Sequence, residues 1–461
     1  MPRVAVIGGG LAGLAAAGRL RLLGVTPTVF EQDSIVGGVV RTDVVDGWII
    51  ESGPCLAAEP DPAVRILLDA AGLADCTVRA GPLSRNRYIV HSGAPVPLPH
   101  TTTDFAASPL LSIAGRLRLL KERFIAAQPE VTEESVDAFA RRRFGDEMAE
   151  RVFDPLLAST SAGDPREVLA RYAFPAAVGH ERQSGSGLQG NARTRIAARR
   201  RAKGQPSGSW SCTGGMAELP RRLAAWAGDV RTGVTVQSIR IAAGHVAVSS
   251  VPGGAGSDPF DGVILAVPPG VLGTMSFDFT DAGRLADVAA IPCLSIAAVS
   301  LGFRREEVGH PIDAGRLLVP GIEQRSILSA VFPTSLFENH APDGHVLVTA
   351  YVGGARRPDV TDLSESALAD LACKDLEPLL DIRAKPQITR VTVWRDVLPQ
   401  TIAGHARRIA AADTVESTAG PLALTGGWRD GLSVGEVMLG GVRAAERLAT
   451  RQGWLDFPTS H

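Results

Sequence analysis

A glycine-rich turn between a short apolar strand and an Ala- and Leu-rich helix constrains the fold of this chain more than any other feature. The strand is predicted over 3–7, and the turn reads GGGLAG over 8–13, after which the helix begins. Gly8 permits a tight turn, Gly10 lets the backbone approach a diphosphate, and Gly13 lets helix and strand pack closely. The pattern predicts a parallel α/β domain that binds a dinucleotide at a helix N-terminus.

An acidic residue follows the second predicted strand at the distance that such a domain requires. The strand is predicted over 27–30, and Glu31 comes directly after it, 18 positions beyond Gly13. A carboxylate at this point can accept hydrogen bonds from the ribose of an adenosine. We therefore predict that Glu31 binds the ribose.

Composition narrows the function classes. At 461 residues the chain exceeds what one core usually organises, so two or more subdomains are expected. A net charge of -2 argues against a nucleic-acid binder. The five cysteines form no CxxC pair, so we expect no metal site, no disulfide framework and a cytoplasmic location. No apolar run reaches the roughly 20 residues of a spanning helix, which leaves peripheral membrane contact open.

The residues after Glu31 resemble the signature of the flavin amine oxidase superfamily. They include Gly37-Gly38, Arg41 and Gly53-Pro54. The resemblance implies that the cofactor is FAD and that this segment folds back over its diphosphate. Near the C-terminus, a strand running into Gly426 and a helix opening at Ser433-Val434 are similar to the superfamily element that closes over the flavin.

The resemblance implies an α/β fold with a Rossmann-like FAD-binding domain of the GR2 type, a mixed-sheet substrate domain and a helical insertion. The FAD domain is expected over 1–80, 205–268 and 395–461, and the substrate domain over 81–100 and 270–394. The stretch 101–204 is expected to be a helical lid or membrane-contact domain, with helices over 111–127, 135–144 and 147–157. An arginine-rich segment lies between Glu181 and Glu218 and reads as a solvated loop or as a surface for anions.

Within the superfamily, segments along nearly the whole chain resemble the protoporphyrinogen and coproporphyrinogen oxidases. The resemblance implies oxidation of a porphyrinogen by O2 through FAD, as part of haem biosynthesis. It also implies that Arg87 pairs with a substrate propionate. The segments are 86–88, 96–99, 134–136, 142–145, 154–157, 162–165, 174–175, 214–216, 318–320, 351–354, 394, 398–400 and 404–405.

Two sets of site residues follow. The catalytic residues are not identified, because the expected reaction needs no acid-base or metal constellation, and His405 is read as structural. The predicted substrate residues are Arg87, Ser161 and Arg316. The predicted cofactor residues are Gly8, Gly10, Leu11, Ala12, Gly13, Glu31, Gly37, Gly38, Arg41, Gly53, Pro54, Val236, Trp394, Gly426, Ser433 and Val434.

The chain departs from the family pattern near the expected substrate site. Arg316 stands where a glycine is usual, Ser161 where an aromatic residue is usual, and Thr401 and Gly427 also differ. Two explanations compete. The extra arginine meets an additional propionate, which favours coproporphyrinogen, or the protein is a diverged oxidase of secondary metabolism with a non-porphyrin substrate.

Two further classes stay open. An amine oxidase commonly places a lysine near the flavin, but this chain has no lysine between Lys203 and Lys374, which weakens that interpretation. A flavin-binding protein without turnover would fit the altered site. The expected partners are a small-molecule substrate and O2, in a monomer or a homodimer.

Overall fold

The structure is a computed structural model, and it describes residues 1–127, 133–186, 208–252, 254–255 and 259–454. Most of the predicted arginine-rich segment, including Arg193, Arg195, Arg199 and Lys203, lies outside the described residues. The strands are β1 (Arg3–Ile7), β2 (Thr26–Phe30), β3 (Thr42–Val45), β4 (Trp48–Glu51), β5 (Thr77–Arg79), β6 (Arg87–His91), β7 (Ala94–Pro97), β8 (Trp210–Cys212), β9 (Asp229–Arg231), β10 (Thr235–Ala242), β11 (His245–Val251), β12 (Gly254–Ala255), β13 (Gly262–Leu265), β14 (Ser276–Asp278), β15 (Cys293–Arg304), β16 (Arg316–Leu318), β17 (Ile327–Val331), β18 (His345–Gly353), β19 (Ile388–Pro399) and β20 (Leu422–Leu424). The α-helices are α1 (Leu11–Leu22), α2 (Pro62–Ala70), α3 (Thr102–Ala107), α4 (Ile113–Leu120), α5 (Val136–Phe144), α6 (Asp146–Met148), α7 (Asp154–Ser161), α8 (Ala170–Ala173), α9 (Pro175–Ser184), α10 (Glu218–Ala227), α11 (Pro269–Leu272), α12 (Leu285–Ala289), α13 (Pro333–Leu336), α14 (Glu365–Leu380), α15 (His405–Ala419), α16 (Gly427–Asp430) and α17 (Val434–Arg451).

The first layered unit is a five-stranded parallel sheet in the order β20-β13-β1-β2-β9. Side chains of β1 alternate between its two faces. Val4 and Val6 pack in a cluster with residues of α1 and α17. Ala5 and Ile7 pack in another cluster with residues of α15. Helices therefore cover both faces of the sheet, as a fully buried parallel sheet requires.

The second unit is a seven-stranded mixed sheet in the order β19-β15-β18-β17-β16-β6-β7. One of its faces packs on α14, where Val348 and Ala350 lie in one core cluster with Leu368 and Ala372. Because side chains alternate along a strand, Thr349 and Tyr351 of the same strand β18 lie on the opposite face. That second face is the one turned toward the cofactor segment described below.

A smaller four-stranded sheet, β12-β11-β10-β14, adjoins the parallel sheet. Strand β14 follows the predicted domain boundary at 268–270 and pairs with β10 through Ser238 and Ser276. Strand β19 continues to Pro399 and thus runs through the predicted boundary at 394–395. The division into three domains stays a prediction.

The described part of the region from 101 to 186 is mainly helical, with irregular segments at 108–112, 125–127 and 162–169. Its core contains Phe139, Phe144 and Phe153, with Phe174 packed against them. The single helix predicted over 147–157 is instead interrupted by a wide, π-helical turn at Ala149–Phe153. The wide turn comes shortly before Pro155, which has no N–H to donate to the preceding turn. In the part of the chain that the structure describes, no helix is long and apolar enough to cross a membrane.

Candidate cofactor and substrate site

The predicted glycine turn forms an open cradle at the start of α1. Gly10 is the N-cap residue, and a Cβ atom built there would meet no protein atom within 4 Å. Gly8 has φ +105°, which disfavours any other residue, and its N–H donates to the Phe30 carbonyl at 2.8 Å. At Gly13 a Cβ would lie 1.9 Å from the Gly8 carbonyl oxygen. Gly8 and Gly13 thus shape the turn, whereas Gly10 leaves space above the helix N-terminus.

Glu31 lies beside this turn with its carboxylate held by backbone donors. Its Oε2 accepts from the Gly9 N–H at 2.6 Å, and its Oε1 accepts from the Asp33 N–H at 2.9 Å. Val236 packs in one hydrophobic cluster with Phe30, so the start of β10 lies near the end of β2, where Glu31 follows. The structure therefore brings Glu31 and Val236 together at the end of β2, and their contacts with an adenosine stay a prediction.

The paired glycines turn the chain back onto the cradle. The Gly37 N–H donates to the Gly9 carbonyl at 2.8 Å. A Cβ at Gly38 would lie 3.6 Å from the Gly10 Cα. The Arg41 guanidinium donates to the Val36 carbonyl at 2.7 Å and pairs with the Asp33 carboxylate at 3.1 Å. This loop therefore lies against the open space at Gly10, with Arg41 beside it.

A second helix N-terminus faces the same side. Leu11 packs with Val434 in one cluster, and Leu20 packs with Leu448 in another, so α1 and α17 run parallel. Their contact is close, because a Cβ at Gly441 would lie 2.1 Å from the Ala12 carbonyl oxygen. The Ser433 hydroxyl accepts from the Glu436 N–H at 3.3 Å and caps α17. Two helix N-termini on one side favour an anionic group there.

A buried indole donor, that of Trp428, adjoins the turn at Gly426. Gly426 has φ +148°, and the adjoining Trp428 is 2% exposed. Among the described residues the Trp428 indole N–H finds no acceptor. Buried donors are almost always satisfied, so this one points to a group that the protein binds. Together with the open Gly10 and the two helix N-termini, it fits a cofactor with a diphosphate and a polar ring.

The Ser52-Gly53-Pro54 segment connects the two large sheets. The Tyr351 hydroxyl donates to the Gly53 carbonyl at 3.2 Å, and the Trp394 indole N–H donates to the Ser52 carbonyl at 2.7 Å. Gly53 is tightly enclosed, because a Cβ there would lie 1.9 Å from the Val39 carbonyl oxygen. Trp394 thus holds the predicted cofactor segment in place from the substrate sheet.

Glu51 is a buried acid to which the sequence analysis assigned no role. It is 1% exposed, and its carboxylate accepts from the Met216 N–H and the Thr42 hydroxyl, each at 2.7 Å. Burial raises its pKa to about 7, although both hydrogen bonds act in the opposite direction. The position of Glu51 at the end of an apolar strand was the one signal in the sequence that could have identified it. The sequence did not reveal its burial, because Met216 comes from a distant segment.

The predicted substrate residues gather where the mixed sheet meets α7. Arg87 of β6 and Arg316 of β16 are register partners on adjacent parallel strands. The Arg316 guanidinium donates to the Ser159 carbonyl at 3.1 Å. Ser161 ends α7, is 9% exposed, and its carbonyl accepts from the Gln400 side chain at 3.0 Å. The structure therefore places Arg316 and Ser161 at the end of α7, and Arg87 beside Arg316 on the neighbouring strand.

The geometry of His405 favours a structural role. It is 1% exposed and meets the Tyr172 ring edge to face at 4.8 Å. Burial, with the charges of Arg408 and Arg171, lowers its pKa to about 4, so it is neutral at physiological pH. No cluster of metal-ligating side chains occurs among residues that the structure describes.

The chain is similar in sequence to porphyrinogen oxidases from a plant and from a bacterium. The chain is 29% identical over 477 residues to the mitochondrial protoporphyrinogen oxidase of Nicotiana tabacum, covering 96% of this chain and 94% of that protein. It is 27% identical over 457 residues to the coproporphyrinogen III oxidase of Bacillus subtilis (strain 168), covering 94% of each.

Solved structures share the fold. A protein from Exiguobacterium sp. 255-15, provisionally assigned as a protoporphyrinogen oxidase, superposes with a TM-score of 0.79 at 22% identity, covering 97% of this chain and 99% of that one. Cyclohexylamine oxidase from Brevibacterium oxydans IH-35A gives a TM-score of 0.71 at 16% identity, covering 98% and 99%. The α/β flavoenzyme fold predicted from the sequence is confirmed.

The family model described as flavin containing amine oxidoreductase matches residues 11–449, from the cofactor turn to the end of α17. The predictions of FAD as cofactor and of oxidoreductase chemistry are thereby confirmed. The chain belongs to the flavin containing amine oxidoreductase family and is an FAD-dependent oxidoreductase that is similar to the protoporphyrinogen and coproporphyrinogen oxidases.

Proposed function

We propose that the protein oxidises a porphyrinogen to a porphyrin with O2 as the electron acceptor. The observation that carries the proposal is the similarity to porphyrinogen oxidases over 96% of the chain, and the pairing of Arg87 with Arg316 in the mixed sheet supports it. A porphyrinogen is a broad, flat ring with acidic arms. It requires an apolar cavity and a cation at the cavity edge.

The residues of this chain have binding and positioning roles in that reaction. FAD, when bound, supplies the hydride acceptor. Tyr351 and Trp394 hold the Ser52-Gly53 backbone against the mixed sheet, which fixes the distance between cofactor segment and substrate face. Arg87 offers a planar pair of donors that suits a carboxylate. His405 is enclosed, and burial lowers its pKa to about 4, so its neutral imidazole is a weak base and we assign it no proton transfer.

The proposal is tested by anaerobic mixing of the purified yellow protein with coproporphyrinogen III and, separately, with protoporphyrinogen IX. We expect the flavin absorbance to bleach and, after air is admitted, porphyrin fluorescence to appear faster than in a protein-free control. The substrate that reacts faster is the preferred one. Flavin that neither compound bleaches, but that dithionite reduces, would reject a porphyrinogen substrate and favour a non-porphyrin one.

Replacing Arg87 by alanine is expected to raise KM for the preferred porphyrinogen more than it lowers kcat. A charge-assisted hydrogen bond to a carboxylate contributes about 1.5–3 kcal/mol, which corresponds to roughly a 10- to 100-fold rise in KM. Steady-state oxygen consumption measures both constants. Arg85→Ala, two residues earlier in the chain, is the control, and an unchanged KM in Arg87→Ala would remove Arg87 from the site.

We also propose that the protein contacts an anionic membrane surface through α4 and the turn that follows it. Four apolar side chains at three- and four-residue spacing point outward there, and basic side chains adjoin them. The acid within this stretch, Glu122, is buried. An exposed apolar stripe beside basic residues is typical of an interfacial helix. The apolar residues are Ile113 (77% exposed), Leu117 (56%), Leu120 (54%) and Phe124 (74%), and the exposed basic residues are Lys121 and Arg123.

Sedimentation with lipid vesicles tests this contact. The wild-type protein is expected to sediment with phosphatidylglycerol vesicles, less so at high salt. The double variant Leu117→Glu/Phe124→Glu is expected to stay in the supernatant, because each buried side chain contributes about 1.5–3 kcal/mol. Ile66→Glu, at a 55% exposed apolar position on α2, is the matched control. Equal sedimentation of all three proteins would contradict the proposal.

A further inference from the structure

The strand register places a second arginine directly beside Arg87. In the mixed sheet, β6 and β16 are parallel, and Arg316 pairs with Arg87, Leu317 with Tyr88, and Leu318 with Ile89. Neighbouring strands lie about 4.8 Å apart, and register partners project from the same face. The two guanidinium groups therefore leave the sheet side by side, although Arg316 lies 229 positions beyond Arg87 in the sequence.

The face that carries both arginines is the one turned toward the cofactor segment. Leu317 and its partner Tyr88 pack on the opposite side, in the core that includes α14. Next to Arg316 in the sheet, Val331 packs with Cys55, one residue beyond the Gly53-Pro54 segment. On the other side, Leu318 packs with the helical region. Arg316 thus lies between the cofactor segment and the helices, within the candidate site.

Among the residues that the structure describes, no carboxylate lies within 4 Å of either guanidinium. The Arg316 guanidinium donates to the Ser159 carbonyl at 3.1 Å, which fixes the side chain and supplies no counter-charge. Partial burial and then the nearby Arg316 charge lower the pKa of Arg87. Arg87 is exposed and Arg316 is half-buried, and two adjacent cations with no acid beside them in the described residues make a site for anions.

A further buried polar group, the Ser329 hydroxyl, lies on the same face. Ser329 pairs with Leu318 across β16 and β17 and is 1% exposed. Within the described residues its hydroxyl finds no hydrogen-bond partner. Buried hydroxyl groups are normally paired, so Ser329 is an independent sign that a ligand reaches this face.

We infer that Arg316 provides a second carboxylate-binding position beside Arg87, so that the site holds two carboxylates of one substrate molecule at once. The inference rests on the proposed function, because it assigns the carboxylates to neighbouring acidic arms of a porphyrin ring. Arg316 is a specificity-determining residue in this arrangement. Arg316 is expected to give a ring with two free carboxylates a higher affinity than a ring whose carboxylates are esterified. The Ser159 carbonyl holds the Arg316 side chain in position.

Equilibrium binding to the purified holoenzyme tests the inference without turnover. The probes are coproporphyrin III and its tetramethyl ester, titrated in detergent and followed by quenching of tryptophan fluorescence. Wild-type protein is expected to bind the free acid at least about tenfold more tightly than the ester. Arg316→Gln and Arg87→Gln should each weaken binding of the acid about tenfold and leave binding of the ester unchanged.

The double variant separates a binding role from a positioning role. If each arginine holds its own carboxylate, the two losses multiply to about 100-fold. If Arg316 only orients Arg87, the double variant should equal Arg87→Gln, and the inference fails. Arg316→Lys keeps the charge and is expected to recover part of the affinity.

The outcomes distinguish the inference from the proposed function. Binding of the acid that depends on Arg316, in a protein that oxidises no porphyrinogen, would reject the function and keep the two-carboxylate site. If the protein oxidises a porphyrinogen but Arg316→Gln binds the free acid as tightly as the wild type, the function stands and the two-carboxylate site is rejected. Equal loss of acid and ester binding would show that Arg316 shapes the cavity, and absence of porphyrin binding in the wild type would also overturn the inference.

Discussion

Gly10→Val abolishes FAD binding and leaves the fold intact. Gly10 has φ −71° and ψ 176°, which valine adopts readily, and a Cβ there meets no protein atom within 4 Å. The valine methyl groups instead fill the space above the N-terminus of α1, where the cofactor diphosphate is expected. We expect affinity to fall by about 100-fold or more, which is about 2.8 kcal/mol. The absorbance at 450 nm per mole of purified protein measures how much FAD the variant retains.

Two other glycines provide controls. Gly283→Val is also free of contacts within 4 Å and lies outside the predicted cofactor set, so its flavin content should equal that of the wild type. Gly13→Val should fail differently, because its Cβ overlaps the Gly8 carbonyl and disrupts the turn itself. Circular dichroism distinguishes the two failures. Normal flavin content in folded Gly10→Val would disprove the placement of the diphosphate.

Glu416→Ala is expected to lower the free energy of unfolding by about 1.5–3 kcal/mol, because the buried Leu424 N–H and three partly exposed arginines lose an ionised acceptor. Glu416 is 3% exposed on α15 and pairs with three arginines, and its Oε1 accepts from the Leu424 N–H at 2.7 Å. It thereby joins α15 to α17 and to the strand that ends at the Gly426 turn. The arginines are Arg429, Arg447 and Arg451, each at 3.1 Å.

Urea unfolding as a function of pH measures this contribution. Burial alone would raise the pKa of Glu416, but Arg429 and Arg447 outweigh it and hold the pKa below its ordinary value. The stabilisation is therefore present above the unfolded-state pKa and is lost as the pH falls through the folded-state pKa. Asp413→Ala removes the exposed partner of Arg429 and should cost less than about 1 kcal/mol. Equal stability of Glu416→Ala and wild type would refute the prediction.

Local sequence patterns predicted the cofactor half of the molecule well. The glycine turn predicted its strand and its helix, which the structure places at Arg3–Ile7 and Leu11–Leu22. Such turns are readable because the glycines meet steric demands set by neighbours a few residues away, as at Gly8 and Gly13. The interrupted helix before Pro155 was missed, since periodicity records apolar spacing and not the hydrogen bonds that a proline removes.

The sequence by itself determined the nucleotide turn, the acid at Glu31, the class of cofactor and the family, because these depend on short segments with fixed spacing. Only the tertiary structure decided that Arg316 lies beside Arg87 and that Tyr351 and Trp394 hold the cofactor segment. It also decided that the buried Trp428 and Ser329 donors find no partner among the residues that the structure describes. Strand pairing and packing in the core bring residues into contact that lie hundreds of positions apart in the sequence. No local pattern encodes that pairing, because it arises from packing of the whole chain.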